Sequence, residues 1–188
     1  MVDWLTEVGG AERVLLAVHQ LYPDAPIYTS QYRPRRINWF IDANVRTGWL
    51  NVFPRGLRKF MAPLRALYFK HLDLSEYDLV ISVANAEAKG VKTSLNSVHV
   101  AYLQGPPTQY YWGQYDAYIK NPGFGKLNFL ARWGLKTLIK PMRKADLAEV
   151  KRPDLLIANS NYVADEIKKY YKRDSQVVYP PVDVSGLR

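Results

Sequence analysis

Apolar positions along the chain follow two alternating rhythms. Ala11, Val14, Leu15, Val18, Leu21 and Tyr22 recur at spacings of three and four, which predicts an amphipathic helix over 11–22. Gly9 and Gly10 precede it, and Glu12 suits the positive end of the helix dipole. Residues 26–29 read as a short strand. Leu57, Phe60, Met61, Leu64, Leu67 and Tyr68 make one face of a second amphipathic helix over 57–71, with basic residues mostly opposite. The continuous apolar runs 78–83, 97–103 and 153–158 have strand length and suit strands buried on both faces. Residues 106–125, rich in Pro, Gly and Tyr, read as a long loop. Residues 126–150 are helical in pattern, with a break or kink expected at Pro141. Ser160 is placed to cap a helix running through Tyr171, and residues 176–179 form a last strand closed by Pro180 and Pro181.

Strand-like and helix-like segments thus alternate, with no internal repeat or low-complexity stretch. That order predicts an α/β fold, a Rossmann-like, mostly parallel sheet flanked by helices.

Composition narrows the function classes. The chain is 48% hydrophobic, which fits a globular domain. No apolar run approaches the roughly 20 residues of a membrane span. Met1 is followed by Asp3 and Glu7 rather than by a basic stretch and an apolar core, so no secretory leader is expected. The absence of cysteine removes disulfides, a thiolate nucleophile and thiolate zinc sites, and fits a cytoplasmic location. His19, His71 and His99 lack metal-ligand spacing and read as structural.

The net charge of +9 is concentrated in two segments. Arg55, Arg58, Lys59, Arg65 and Lys70 occupy 55–70 without an acid. Residues 126–152 hold eight cations against Asp146 and Glu149. Arg132, Lys136, Lys140 and Lys144 sit four apart and form a stripe along one side of their helix, with Leu127, Leu130, Trp133 and Leu138 as its apolar counterpart. Such concentration suggests an anionic partner surface, whether membrane, phosphate or nucleic acid, with solvated helix faces as the plainer alternative.

Four ordered blocks carry a more specific signal. They are Asp3-Trp4-Leu5-Thr6-Glu7-Val8-Gly9-Gly10-Ala11-Glu12; Tyr77 to Ser82 followed by Ala88-Lys89-Gly90; His99-Val100-Ala101-Tyr102 followed by Pro106 to Trp112; and Ile157 to Ala164 followed by Val178-Tyr179-Pro180-Pro181-Val182-Asp183. Together they resemble the N-terminal, acceptor-side half of family-four retaining glycosyltransferases of the GT-B fold.

The resemblance implies transfer of a sugar, without a metal or other cofactor, from a nucleotide-sugar donor to a glycan or lipid-linked acceptor in cell-surface polysaccharide synthesis. It implies that Gly9 and Gly10 lie near the donor diphosphate, where glycine permits close backbone approach and a helix start offers amide groups to an anion. It places Asn85, Glu87 and Lys89 on an acceptor-facing loop, with Lys89 able to meet a phosphate or simply to be a solvated lysine on a capped turn. Tyr110 and Trp112, with Tyr111 and Tyr115, suit the C–H faces of a sugar or a lipid interface, or packing beneath their loop. Many relatives carry a His-Thr-Pro motif where this chain has Gln104-Gly105-Pro106. Glutamine cannot serve as a general base, so Gln104 is expected to orient by hydrogen bonds only.

In that family a strand precedes the first block and a donor-binding domain follows the last. The resemblance therefore implies that residues 1–188 form a single acceptor-side domain, lacking both, and inactive alone. The alternatives are a non-catalytic glycan- or partner-binding module, an epimerase of the same fold, and a nucleic-acid binder, for which no motif is present.

Overall fold

The computed structural model describes residues 1–54, 56–57, 61–84, 86–108 and 111–182. Its sheet is parallel. β1 (Ile27–Thr29) pairs with β2 (Val45–Thr47), and β3 (Leu79–Ala84), β4 (Val98–Leu103), β5 (Leu155–Ala158) and β6 (Gln176–Val177) pair in that order. Val2 joins the two ladders, bridging in parallel to Thr29 on one side and to Val83 on the other. The spatial order is therefore β2, β1, the Val2 segment, β3, β4, β5, β6. The Met1 ammonium donates to Ile81 O at 2.6 Å, and burial lowers its pKa to about 5. An apolar groove of about 190 Å³ continues the line of Met1 between β1 and β3, lined by Leu15, Ile27, Tyr28 and Val80 among others.

Helices cover both faces, as the two-residue period of the strands requires. Val83 and Tyr102 point into a cluster with Leu5, Ile37 and Phe40, capped by Val14 and Leu15 of α1 (Gly10–Leu21). Val80, Ala84, Ala101 and Leu103 point the other way. They pack on Phe69 of α2 (Ala62–His71), on Val163 and Ile167 of α5 (Asn161–Tyr171), and on Val150 beyond α4 (Asn128–Glu149). The result is an α/β, Rossmann-like arrangement.

Four local expectations change. Of the helix expected over 57–71, residues 58–60 lie outside the described residues; the described α-helix, α2, starts at Ala62, and its buried face differs from the apolar one. Leu64 and Leu67 are exposed, while Arg65 is 4% exposed because Glu87 pairs with its guanidinium. α4 runs unbroken through Pro141; that proline is exposed, so water can serve the carbonyl it leaves without a donor. The loop 106–125 contains a short helix, α3 (Tyr115–Lys120). The last strand stops at Val177 rather than at 179. Ser160 caps α5 as expected, its Oγ accepting from Val163 N–H at 3.3 Å.

Candidate functional site

Three of the stretches singled out in the sequence meet at the carboxyl edge of the sheet. Asp3 leaves the Val2 segment buried, and its carboxylate accepts from the N–H groups of Ala86 (3.0 Å) and Ala88 (2.7 Å) in the turn after β3. Gln104 follows β4. Its amide donates to Ala11 O in the first turn of α1 at 3.3 Å, and its backbone carbonyl accepts from the Asn159 side chain, beyond β5, at 2.6 Å. One asparagine, one glutamine and one aspartate thus tie the ends of four adjacent segments together.

Gly9 and Gly10 open α1 with no side-chain cap. They border a cavity of about 280 Å³ that is also lined by Asp3, Trp4, Glu7 and Glu12. Glu12 is buried and folds back on the turn; a Cβ on Gly9 would stand 2.9 Å from its Oε2. The positive end of α1 is therefore partly offset by carboxylates at the same place.

Glu87 and Lys89, expected on an open acceptor-facing loop, are instead enclosed. Glu87 takes both arms of Arg65, at 2.9 and 3.4 Å. The Lys89 ammonium lies 2.7 Å from Asp146 Oδ1 of α4 and also donates to Ala86 O. Burial alone would lower the Lys89 pKa, but attraction to Asp146, Tyr171 and Glu149 outweighs it and holds the pKa well above the usual lysine value. A solvated lysine on a capped turn is likewise not what forms. The strand-end turn has no free cation at Lys89, because the neighbouring helix supplies a buried acid.

Asp146 is the hub beneath the loop after β4. Thr108 Oγ donates to it at 3.0 Å, Trp112 Nε1 at 2.6 Å and Tyr171 OH at 2.9 Å. Trp112 also lies 5.5 Å from Tyr170, centroid to centroid, and the Arg143 guanidinium lies over the Trp112 ring at 5.1 Å and the Tyr115 ring at 5.2 Å. Trp112 therefore packs and hydrogen-bonds beneath its loop. Glu149, one turn beyond Asp146, is raised to about 7 by burial, with Asp146 and Glu87 also raising it against the opposing pull of Lys89 and Arg152. Asp146, Glu149 and Arg65 entered the sequence reading through the charge count alone, not as site residues. The available signal was that Asp146 and Glu149 are the only acids in a strongly cationic helix.

Arg132, Lys136, Lys140 and Lys144 are all exposed on α4. Arg132 donates to the last carbonyls of α3, Ile119 O at 2.9 Å and Lys120 O at 2.8 Å. Leu130 and Trp133, and Phe129 between the cations, are exposed as well. Asn85, Tyr110, Arg58 and Lys59 lie outside the described residues.

Among the described residues no group of three or more His, Asp or Glu side chains could hold a metal ion, and no helix is long and apolar enough to cross a membrane. Buried His99 bonds Ser82 Oγ at 3.0 Å from within β4, and burial lowers it to about 4. His71 is exposed at a helix end against Leu67 O. No protein-family model and no curated protein matches the chain.

Proposed function

We propose that this chain is the acceptor-binding half of a retaining glycosyltransferase, one that passes a sugar from a nucleotide-sugar to a glycan or lipid-linked acceptor. The supporting observation is the Gln104 side chain reaching from the end of β4 to the first turn of α1, beside the Gly9–Gly10 turn and the Asp3-held turn after β3. Open α/β sheets bind ligands at this edge. In this reading the glycine turn leaves room for the donor diphosphate, and Gln104 orients hydroxyl groups without moving a proton. The donor-binding half would close over the same edge. The exposed cations and apolar residues of α4 would lie against an anionic bilayer that presents the acceptor.

A second reading, a glycan-binding module without catalysis, is favoured by the enclosure of Lys89 and Glu87 and by the acids beside the glycine turn. One experiment separates the two. Saturation-transfer NMR with a panel of oligosaccharides and of nucleotide-sugars is run on the parent chain and on Gln104→Ala. The transferase half is expected to bind an oligosaccharide through Gln104, so that Gln104→Ala loses that binding. Glycan binding that Gln104→Ala leaves unchanged supports the module, and no glycan binding at all sinks both.

A further inference from the structure

We propose that the cavity between α2, α3 and α4 is a binding site for a single hydrocarbon chain that carries an anionic head group. The cavity holds about 540 Å³, and its walls include Trp4, Phe124, Leu130, Leu138 and Met142. Arg65 is the one charged side chain among the described lining residues. Its guanidinium is already neutralised by Glu87 at 2.9 Å and lies over the Trp4 ring at 4.8 Å. The interior therefore offers apolar surface and no free charge, which suits an aliphatic ligand.

The shape selects a chain rather than a compact ring. Leu130, Gly134, Leu138 and Met142 stand four apart and line one ridge of α4. At 1.5 Å per residue they extend the trough over about 18 Å. At its middle Gly134 leaves room, since a Cβ there would meet nothing within 4 Å.

Charge fixes the head group. Residues 117–145 contain seven lysines and arginines and no acid. Arg132 follows lining residue Ala131 and is fastened to Ile119 O and Lys120 O, next to lining residue Tyr118. An anionic head emerging there meets the Arg132 guanidinium, with Asp116 the one acid of α3. This inference needs no sugar donor and is independent of the glycosyl-transfer reading.

The test is calorimetric titration of the chain with decyl phosphate below its micellar concentration, with decanol and inorganic phosphate as comparison ligands. Saturable one-to-one binding of decyl phosphate is expected, at least fivefold tighter than decanol, with inorganic phosphate not competing. Gly134→Leu and Ala131→Leu each place a side chain in the trough and should weaken binding at least tenfold. Gly134→Leu also improves helix propensity, so its fold should persist by circular dichroism, and either filled variant decides if the other does not fold. Arg132→Gln should weaken decyl phosphate at least threefold and leave decanol unchanged. Absence of saturable binding, or equal binding by the filled variants, overturns the site. Equal affinity for decanol overturns the anionic head.

Discussion

Lys89 and Asp146 form an ion pair of 2.7 Å whose side chains are 2% and 1% exposed, and it fastens the turn after β3 to the longest helix of the chain. Three further hydrogen bonds, from Thr108, Trp112 and Tyr171, converge on the same carboxylate. Such a pair contributes little net stability compared with an apolar substitute, but removing one partner strands the other charge in the core. Lys89→Met or Asp146→Ala should each cost about 3–5 kcal/mol. Urea unfolding of the two single variants and of the double variant checks this. The double variant should lose less than the sum, and strict additivity would contradict a direct pair.

Stability against pH carries three contributions, that of Glu149 opposed to those of Met1 and His99. The Glu149 carboxyl is raised from 4.5 to about 7, so the folded chain keeps a proton that the unfolded chain releases. That contribution is full at low pH and is lost as pH rises through 7. The Met1 ammonium is lowered from 8.0 to about 5, so its contribution is full at high pH and is lost as pH falls through 5. Each slope is at most about 1.4 kcal/mol per pH unit. Between pH 5 and 7 Glu149 and Met1 largely cancel, while His99, lowered from 6.5 to about 4, loses its contribution as pH falls from 6.5 to 4. Glu149→Gln should unmask the amine, and the urea midpoint of that variant should climb from pH 5 to 8. A variant whose profile parallels the parent's would refute the assignment.

Two glycines should respond to alanine with opposite signs. A Cβ on Gly90 would lie 2.6 Å from Glu149 Cγ, in a buried turn also held by Arg152. Gly90→Ala should cost about 1–3 kcal/mol through overpacking. Gly134 sits inside α4 with open space, and Gly134→Ala should stabilise by roughly 0.5–1 kcal/mol. Thermal melts of the pair, on opposite sides of the parent, are the expected result.

The α4 stripe can be tested without disturbing the core, because Lys136 and Lys140 are exposed. Sedimentation with vesicles containing phosphatidylglycerol should fall in Lys136→Glu and Lys140→Glu, with each lysine contributing about 1 kcal/mol at low salt. Recovery with neutral vesicles should stay low throughout. Equal recovery with neutral and anionic vesicles would remove the membrane from the proposal.

At the crevice, Gln104→Ala removes one hydrogen bond of 3.3 Å between a half-buried side chain and Ala11 O. Its effect on stability should stay near 1 kcal/mol. Its effect on oligosaccharide affinity should be larger, tenfold or more. Equal, small losses in both quantities would mark Gln104 as structural.

Much of the fold was legible. The runs that became β3, β4 and β5 and the helical spacing of α1 and α5 each repeat one period long enough to read. Their order alone implies that the turns after β3 and β4 share an edge with the start of α1. β2 was not legible, since three residues, Val-Arg-Thr, have no period and form a strand only by pairing with β1. Arg65 and Lys89 were misplaced for one reason. A charged residue is read as solvated unless its partner is seen, and their partners lie 22 and 57 positions away along the chain. Asn85 and Tyr110 fall outside the described residues, so neither is placed.

The Val2 bridge makes the molecule a sheet with a seam. β2 and β1 reach the other four strands through the backbone of one short segment, Met1 to Asp3, rather than through a ladder of their own. Amide protons of 27–47 should therefore exchange through a local opening that leaves β3, β4 and β5 protected. Any load that prises the sheet apart should meet least resistance at that line.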